Sequence, residues 1–179
     1  MFKKIFSATV LSLAAFGAAH ADGPVRLIIA FPPGGPVDLV GRVLAEQLGK
    51  ELKQQVIVEN KAGANGNIAA AYVAKAPGDG SVLFLTSVGA VAISPALYKD
   101  LPYDPVRDFA PVSKVVNNAT VFVVNPSNPA TDAADFVAKS QAAKQSVAIG
   151  SSGIGSIPHL TMEMFADASK ANVLHVPYK

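Results

Sequence analysis

The 179-residue sequence contains no cysteine and no tryptophan, and only 16% of its residues are charged. Without cysteine the chain forms no disulfide framework, zinc–thiolate site or thiol nucleophile. Its 15 basic and 13 acidic residues give a formal charge of +2, which is less basic than we expect of a protein that binds nucleic acid. Half of the residues are hydrophobic, and this content argues against intrinsic disorder.

The common sequence motifs of enzymes are also absent. The chain has no phosphate-binding or dinucleotide-binding glycine motif, and therefore we expect no nucleotide cofactor. It also lacks the usual serine-nucleophile signatures. After the N-terminal segment the only histidines are His159 and His175, which lack the spacing of a metal site, so no metal is predicted. One enzymatic alternative stays open: an exported α/β enzyme acting on a small organic acid, with His159 as general base and a nearby serine in support.

The N-terminus has the pattern of an export signal. Lys3 and Lys4 precede an apolar run that ends in small residues at Ala21, which predicts a signal peptide over residues 1–21 with cleavage after Ala21. The run is shorter than the roughly 20 residues that a membrane anchor needs. We therefore expect a soluble protein in the periplasm. Cleavage removes two basic residues and leaves 13 basic and 13 acidic residues.

The rest of the chain alternates short apolar strands with helical segments. Continuous rather than alternating apolarity in the strands, with helices between them, predicts an α/β fold with parallel sheets covered on both faces. The helix after the first strand is predicted from a stripe of apolar residues that includes Val43 and Leu52. Residues 94–111, which contain four prolines, are expected to form irregular surface chain. The predicted strands are 25–31, 55–59, 82–86, 119–124, 146–150 and 173–176.

Four loops after predicted strands are rich in glycine, serine, threonine and asparagine. In open parallel sheets, ligands bind where the carboxyl ends of strands lead into helix N-termini. We expect the four loops to meet at such an edge, where backbone N–H groups and hydroxyls suit a small carboxylate or phosphate. Asp38 is also a candidate helix cap. The loops are residues 33–38, 63–67, 86–90 and 150–156.

Several segments, taken in order, resemble the Bug family, the extracytoplasmic solute receptors of tripartite tricarboxylate transporters. No single segment is specific, but the ordered set is, and it extends from about Pro24 to the last residue. The segments are Phe31 to Asp38, Val58 to Lys61, Leu101 to Val112, Gly150 to Gly153 with Pro158 to Leu160, and His175 to Lys179.

The resemblance implies a type II periplasmic binding protein in which two parallel-sheet lobes close over a ligand. It places the first lobe at residues 22–119 and the start of the second at 120–179. The family's members are longer, and the pattern lacks a last helix. We therefore expect a chain truncated within the second lobe. A non-functional fragment is a further alternative. The implied partners are a small organic acid (a di- or tricarboxylate, an acidic amino acid or an aromatic acid) and membrane permease subunits.

The same resemblance implies a ligand site without cofactor or metal. The family usually has glycine at the position of Asn65, so this residue places a side chain where backbone would otherwise approach the ligand. The expected ligand-binding residues are Gly34, Gly35, Asp38, Asn65, Asn67, Thr86, Ser87, Ser151, Ser152, Ser156 and His159.

Overall fold

The structure, a computed structural model, describes residues 23–178. The predicted signal peptide lies outside the described residues. The described chain is a mixed α/β structure with two separate parallel sheets. Its main elements, in chain order, are β1 (Val25–Ile29), α1 (Pro36–Leu52), β2 (Val56–Asn60), α2 (Asn67–Val73), β3 (Val82–Leu85), α3 (Ser94–Leu97), α4 (Ala133–Ala142), β4 (Val147–Ser151), α5 (Ile157–Ser169) and β5 (Val173–Pro177).

The first sheet has β1 at its centre, with the strand order β2-β1-β3. Both neighbours run parallel to β1, with Leu27 opposite Val58 on one side and Leu83 on the other. Ile28 and Ile29 are completely buried. A strand whose successive residues are both buried must be covered on both faces of the sheet, which confirms the parallel α/β architecture expected from the sequence.

Helices α1 and α2 cover opposite faces of this sheet. Leu27 and Ile29 pack with Ala45 of α1, whereas Ile28 and Ala30 pack with Ala69 of α2. Pro36 begins α1, where the missing N–H costs nothing because first-turn donors have no partner within the helix.

The apolar stripe predicted for α1 is only partly correct. Val43 and Leu52 are exposed, whereas Gly41 and Ala45 are buried. A side chain at position 41 would collide with the sheet, since an added Cβ would lie 3.0 Å from Leu85 Cδ2. The helix therefore packs closely through its small residues.

Residues 94–111 are more ordered than expected. A π-helical turn over Gly89–Ile93 leads into α3, and the chain then places Tyr103 in the core with 6% of its surface exposed. Phe109 packs beside this ring and against Phe84 of β3. Two aromatic anchors thus attach this proline-rich segment to the first sheet.

The strand predicted at residues 119–124 is wrong. Within the described chain this segment has no regular secondary structure and pairs with no strand. Val121 and Val123 are 76% and 81% exposed, because an apolar sequence alone does not form a ladder without a neighbouring strand. Phe122 is the anchored residue of the segment, and its ring packs on Phe136 of α4 and Phe165 of α5.

The second sheet pairs β4 and β5 in parallel. Asp132 caps α4 by accepting a hydrogen bond from the Asp135 N–H at 2.8 Å. Ser156 caps α5 in the same way. None of the helices within residues 23–178 has the length and apolarity required to span a bilayer.

Candidate functional site

The four predicted loops do not all belong to one sheet. Three follow β1, β2 and β3 and lie at the carboxyl edge of the first sheet, whereas residues 150–156 follow β4 of the second sheet. The expectation of a single sheet edge is therefore corrected. The two groups of loops nevertheless meet, because the Asn65 side-chain amide donates to the Gly155 carbonyl at 2.6 Å.

The loop after β1 is held by a buried carboxylate. Asp38, 3% exposed, accepts hydrogen bonds from the Gly34 N–H at 2.9 Å and from Arg42 Nε at 2.9 Å. The hydrogen bond from Arg42, followed by those from Gly34 and Asn60, holds the pKa of Asp38 well below its usual range. Asp38 thus orients the loop, and the Gly34 N–H is used internally. Gly35 occupies the N-cap position of α1.

Asn60, which sequence reasoning did not select as a site residue, completes this network. Its side-chain amide donates to Asp38 Oδ1 at 2.8 Å and to the Phe31 carbonyl at 3.0 Å. It therefore ties the end of β2 to the loop after β1. Its position at the last residue of a strand beside β1 is the signal that would have identified it.

The loop after β2 contains two asparagines with different surroundings. Asn65 reaches across to Gly155, as described above. The Asn67 side-chain carbonyl accepts hydrogen bonds from the Ser94 and Tyr103 hydroxyls, each at 2.8 Å. Asn67 therefore connects α2 to the segment that carries Tyr103. Its side-chain carbonyl oxygen already has hydrogen-bond partners within this part of the chain.

The loop after β3 supplies hydroxyls at the same edge. Thr86 and Ser87 are both half-buried. The Thr86 hydroxyl makes only a long hydrogen bond, 3.4 Å, to the Ser87 carbonyl, and Ser87 Oγ accepts from the Gly89 N–H at 3.3 Å. The weak internal bonds leave both hydroxyls able to donate to another group.

The three serines after β4 have separate environments. The Ser151 hydroxyl, in a residue that is 8% exposed, lies 2.6 Å from His175 Nε2. Ser156 is 2% exposed, and its Oγ accepts the His159 backbone N–H at 3.3 Å as the cap of α5. Ser152 is the exposed serine of this loop.

The two histidines are neighbours in space. Their rings stack with centroids 3.9 Å apart and planes 19° apart, a contact that the sequence did not predict. His159 Nδ1 accepts the Gly155 N–H at 3.1 Å. Burial, followed by the neighbouring His159, lowers the pKa of His175. The Ser151 hydroxyl is the hydrogen-bond partner of the His175 ring, whereas His159 is the residue that was considered as a general base.

These loops offer mainly uncharged hydrogen-bonding groups. Within residues 23–178, no group of three or more His, Asp or Glu side chains is placed to hold a metal ion. Asp38, at the end of the loop after β1, forms an ion pair with Arg42 at 2.9 Å, and the two charges neutralise each other. Hydroxyls, amides and backbone N–H groups remain, and such donors bind an anion without a charged partner.

Solved structures with the same fold define the class of protein. A protein from R. palustris solved with adipate matches with a TM-score of 0.82 at 32% identity, over 89% of this chain and 54% of that chain. The periplasmic binding protein BugD matches with a TM-score of 0.71 at 31% identity, over 88% of this chain and 52% of that chain. The chain thus has the mixed α/β fold of periplasmic binding proteins.

The family follows from the sequence comparison. The family model described as "Tripartite tricarboxylate transporter family receptor" matches residues 40–179. Protein BugT of Bordetella pertussis is 37% identical over 157 residues, which cover 87% of this chain and 48% of that protein. The chain belongs to this receptor family, as the sequence resemblance predicted. It spans about half the length of the relatives it matches.

Proposed function

We propose that the protein is a periplasmic receptor that captures a small carboxylate and presents it to the membrane permease subunits of a tripartite transporter. The observation that carries the proposal is the meeting of the loops from the two sheets at Asn65 and Gly155. Family membership over residues 40–179 supports the receptor role, and the predicted export signal supports the compartment.

The proposed lobes are residues 22–119 and 120–179. Each contains one of the two parallel sheets, and the exposed segment around residue 120 joins them. A ligand held between the lobes would draw them together, as in hinged binding proteins. The contact between Asn65 and Gly155 marks the place where the lobes approach.

A dicarboxylate is the ligand class that we infer for the site between the two sheets. A related structure contains adipate, and neutral hydrogen-bond donors with helix N-termini suit carboxylates. Thr86, Ser87 and Ser152 are the side chains proposed to donate to the acid, together with backbone N–H groups near Gly35. Ser151, Ser156 and Asn67 are proposed to shape the loops, because their oxygens already have partners within the chain.

Thermal unfolding of the full-length protein with a panel of organic acids tests this function. A ligand that binds only the folded state stabilises it by RT ln(1 + [L]/Kd), or about 2.7 kcal/mol at 100 times Kd. We expect at least one dicarboxylate to raise the Tm, and Ser152→Ala to reduce that rise. Ser113→Ala, in the exposed joining segment, is the matched control and should keep it. A panel in which no acid raises the Tm would reject the receptor function.

A further inference from the structure

Asn65 has an unusual backbone conformation. The φ angle is positive at four successive residues, Gly63, Ala64, Asn65 and Gly66. Asn65 itself has φ 54° and ψ 32°, a left-handed conformation that costs most residues free energy and that asparagine tolerates better than most. Such conformations are concentrated at functional positions. This one accompanies a side chain that leaves its own sheet and reaches the second one.

The Asn65 side chain fills the space between two glycines. Its amide donates to the Gly155 carbonyl at 2.6 Å, across 90 positions of sequence. Its other contact is with Gly89, where an added Cβ would lie 2.8 Å from Asn65 Cγ. Any larger residue at position 89 would displace the amide. One side chain therefore touches the loop after β3 and the loop after β4 at the same time.

The acceptor at Gly155 is itself held in place. Its N–H donates to His159 Nδ1 at 3.1 Å, and its φ of 77° is one that glycine adopts readily. Gly155 also lies close to α3, since an added Cβ would be 3.0 Å from Leu97 Cδ1. The carbonyl is thus presented to Asn65 by a fixed loop of the second sheet.

We propose that Asn65 is a specificity-determining residue, which bridges the two lobes and limits the length of acid that fits between them. This inference rests on the proposed function. The bridge favours the closed arrangement, and a receptor that is closed for a larger fraction of the time binds its ligand more tightly. The side chain also occupies the space next to Gly89, which reduces the room between the lobes at that point.

Two substitutions distinguish the effect of the hydrogen bond from the effect of the space that the Asn65 side chain fills. Asn65→Gly removes both and keeps a residue that accepts positive φ. Asn65→Asp keeps the shape but places a carboxylate against the Gly155 carbonyl, so the hydrogen bond is lost. Lys53→Gly is the matched control, because Lys53 has nearly the same backbone angles, φ 54° and ψ 33°, at the exposed C-terminal end of α1.

The distance between the lobes tests the bridge without any ligand. Nitroxide labels at Lys75→Cys and Lys144→Cys, two exposed positions just after α2 and α4, report the spacing in the full-length protein. The sequence contains no cysteine that would compete for label. We expect both Asn65 variants to shift the distribution to longer distances and to lower the closed-to-open ratio by about fivefold, as for one lost hydrogen bond. Lys53→Gly should match the unsubstituted protein.

Calorimetric titration with succinate, glutarate and adipate tests the selectivity. We expect Asn65→Gly to weaken succinate binding about fivefold and to move the preference towards adipate, whereas Asn65→Asp weakens all three acids without changing their order. The proposal would be overturned if the acids bind but Asn65→Gly changes neither the label distances nor the order of affinities for the three acids. If no acid binds to any variant, the receptor function is rejected, and the label distances alone then decide whether Asn65 bridges the lobes.

Discussion

Asp38 is the residue on which the loop after β1 depends. Its three hydrogen-bond donors, Gly34, Arg42 and Asn60, favour the ionised carboxylate and lower its pKa. The stability gained from this ionisation is fully present above the ordinary aspartate pKa of about 3.9 and is lost as the pH falls below it.

We therefore expect Asp38→Asn to destabilise the protein at pH 7 and to flatten the loss of stability below about pH 4. Urea unfolding across that range measures both effects. Asp100→Asn, at an exposed position, should leave the curve unchanged. An Asp38→Asn curve parallel to that of the unsubstituted protein would contradict this role for the carboxylate.

His175 should give a second pH dependence, at higher pH. Burial and the stacked His159 lower its pKa, and Glu163 opposes them more weakly. Because the folded protein disfavours the charged ring, stability is complete above the ordinary histidine pKa of about 6.5 and falls as the pH drops below it. His175→Gln should remove this slope while keeping a partner for the Ser151 hydroxyl. Thermal unfolding between pH 7.5 and 5 measures it, and a slope that persists in full in the variant would assign it elsewhere.

The sequence indicated which loops carry the polar groups, because each loop directly follows a predicted strand. Asp38, expected as a ligand-binding residue and considered as a helix cap, accepts the Gly34 N–H, whereas the N-cap position of α1 is occupied by Gly35. Asn60 and His175 were missed because their partners, Asp38 and Ser151, are 22 and 24 positions away. A single sequence does not reveal which residues the sheet brings side by side.

At the scale of elements, Tyr103 attaches the proline-rich segment to the first sheet. Its hydroxyl donates to the Ala90 carbonyl at 2.7 Å and lies 2.8 Å from Asn67 Oδ1. We expect Tyr103→Phe to lower the free energy of unfolding by about 1–3 kcal/mol, since buried acceptors lose their donor. Tyr98→Phe, on an exposed ring, is the matched control. Equal stabilities of the two variants in urea unfolding would contradict the anchoring role.

Elements with local signals were predicted within one or two residues. Five predicted strands differ from β1 to β5 by at most two residues at either end, because runs of apolar residues bounded by turn residues mark strands locally. The strand expected at residues 119–124 failed because a ladder requires a partner, which apolar sequence does not supply. The burial of Tyr103 was likewise invisible, since it depends on Phe84 and Phe109.

At the scale of the whole molecule, the even charge balance after the predicted cleavage agrees with a site built from neutral donors. The parallel α/β architecture was predictable from the alternation of apolar strands and helices. The separation into two sheets followed only from the resemblance, because periodicity does not tell which strands share a sheet. The approach of Asn65 to Gly155 joins these sheets and is the feature from which the receptor function is proposed.

Calorimetric titration of the full-length protein with adipate and with adipamide, its neutral diamide, tests the central claim most directly. The two molecules have the same chain length, and only adipate carries the negative charges that helix N-termini and N–H donors favour. The account predicts saturable binding of adipate or another dicarboxylate in the same series, and at least tenfold weaker binding of the matching diamide, about 1.4 kcal/mol. Equal binding of acid and diamide, or no binding of any dicarboxylate, would contradict it.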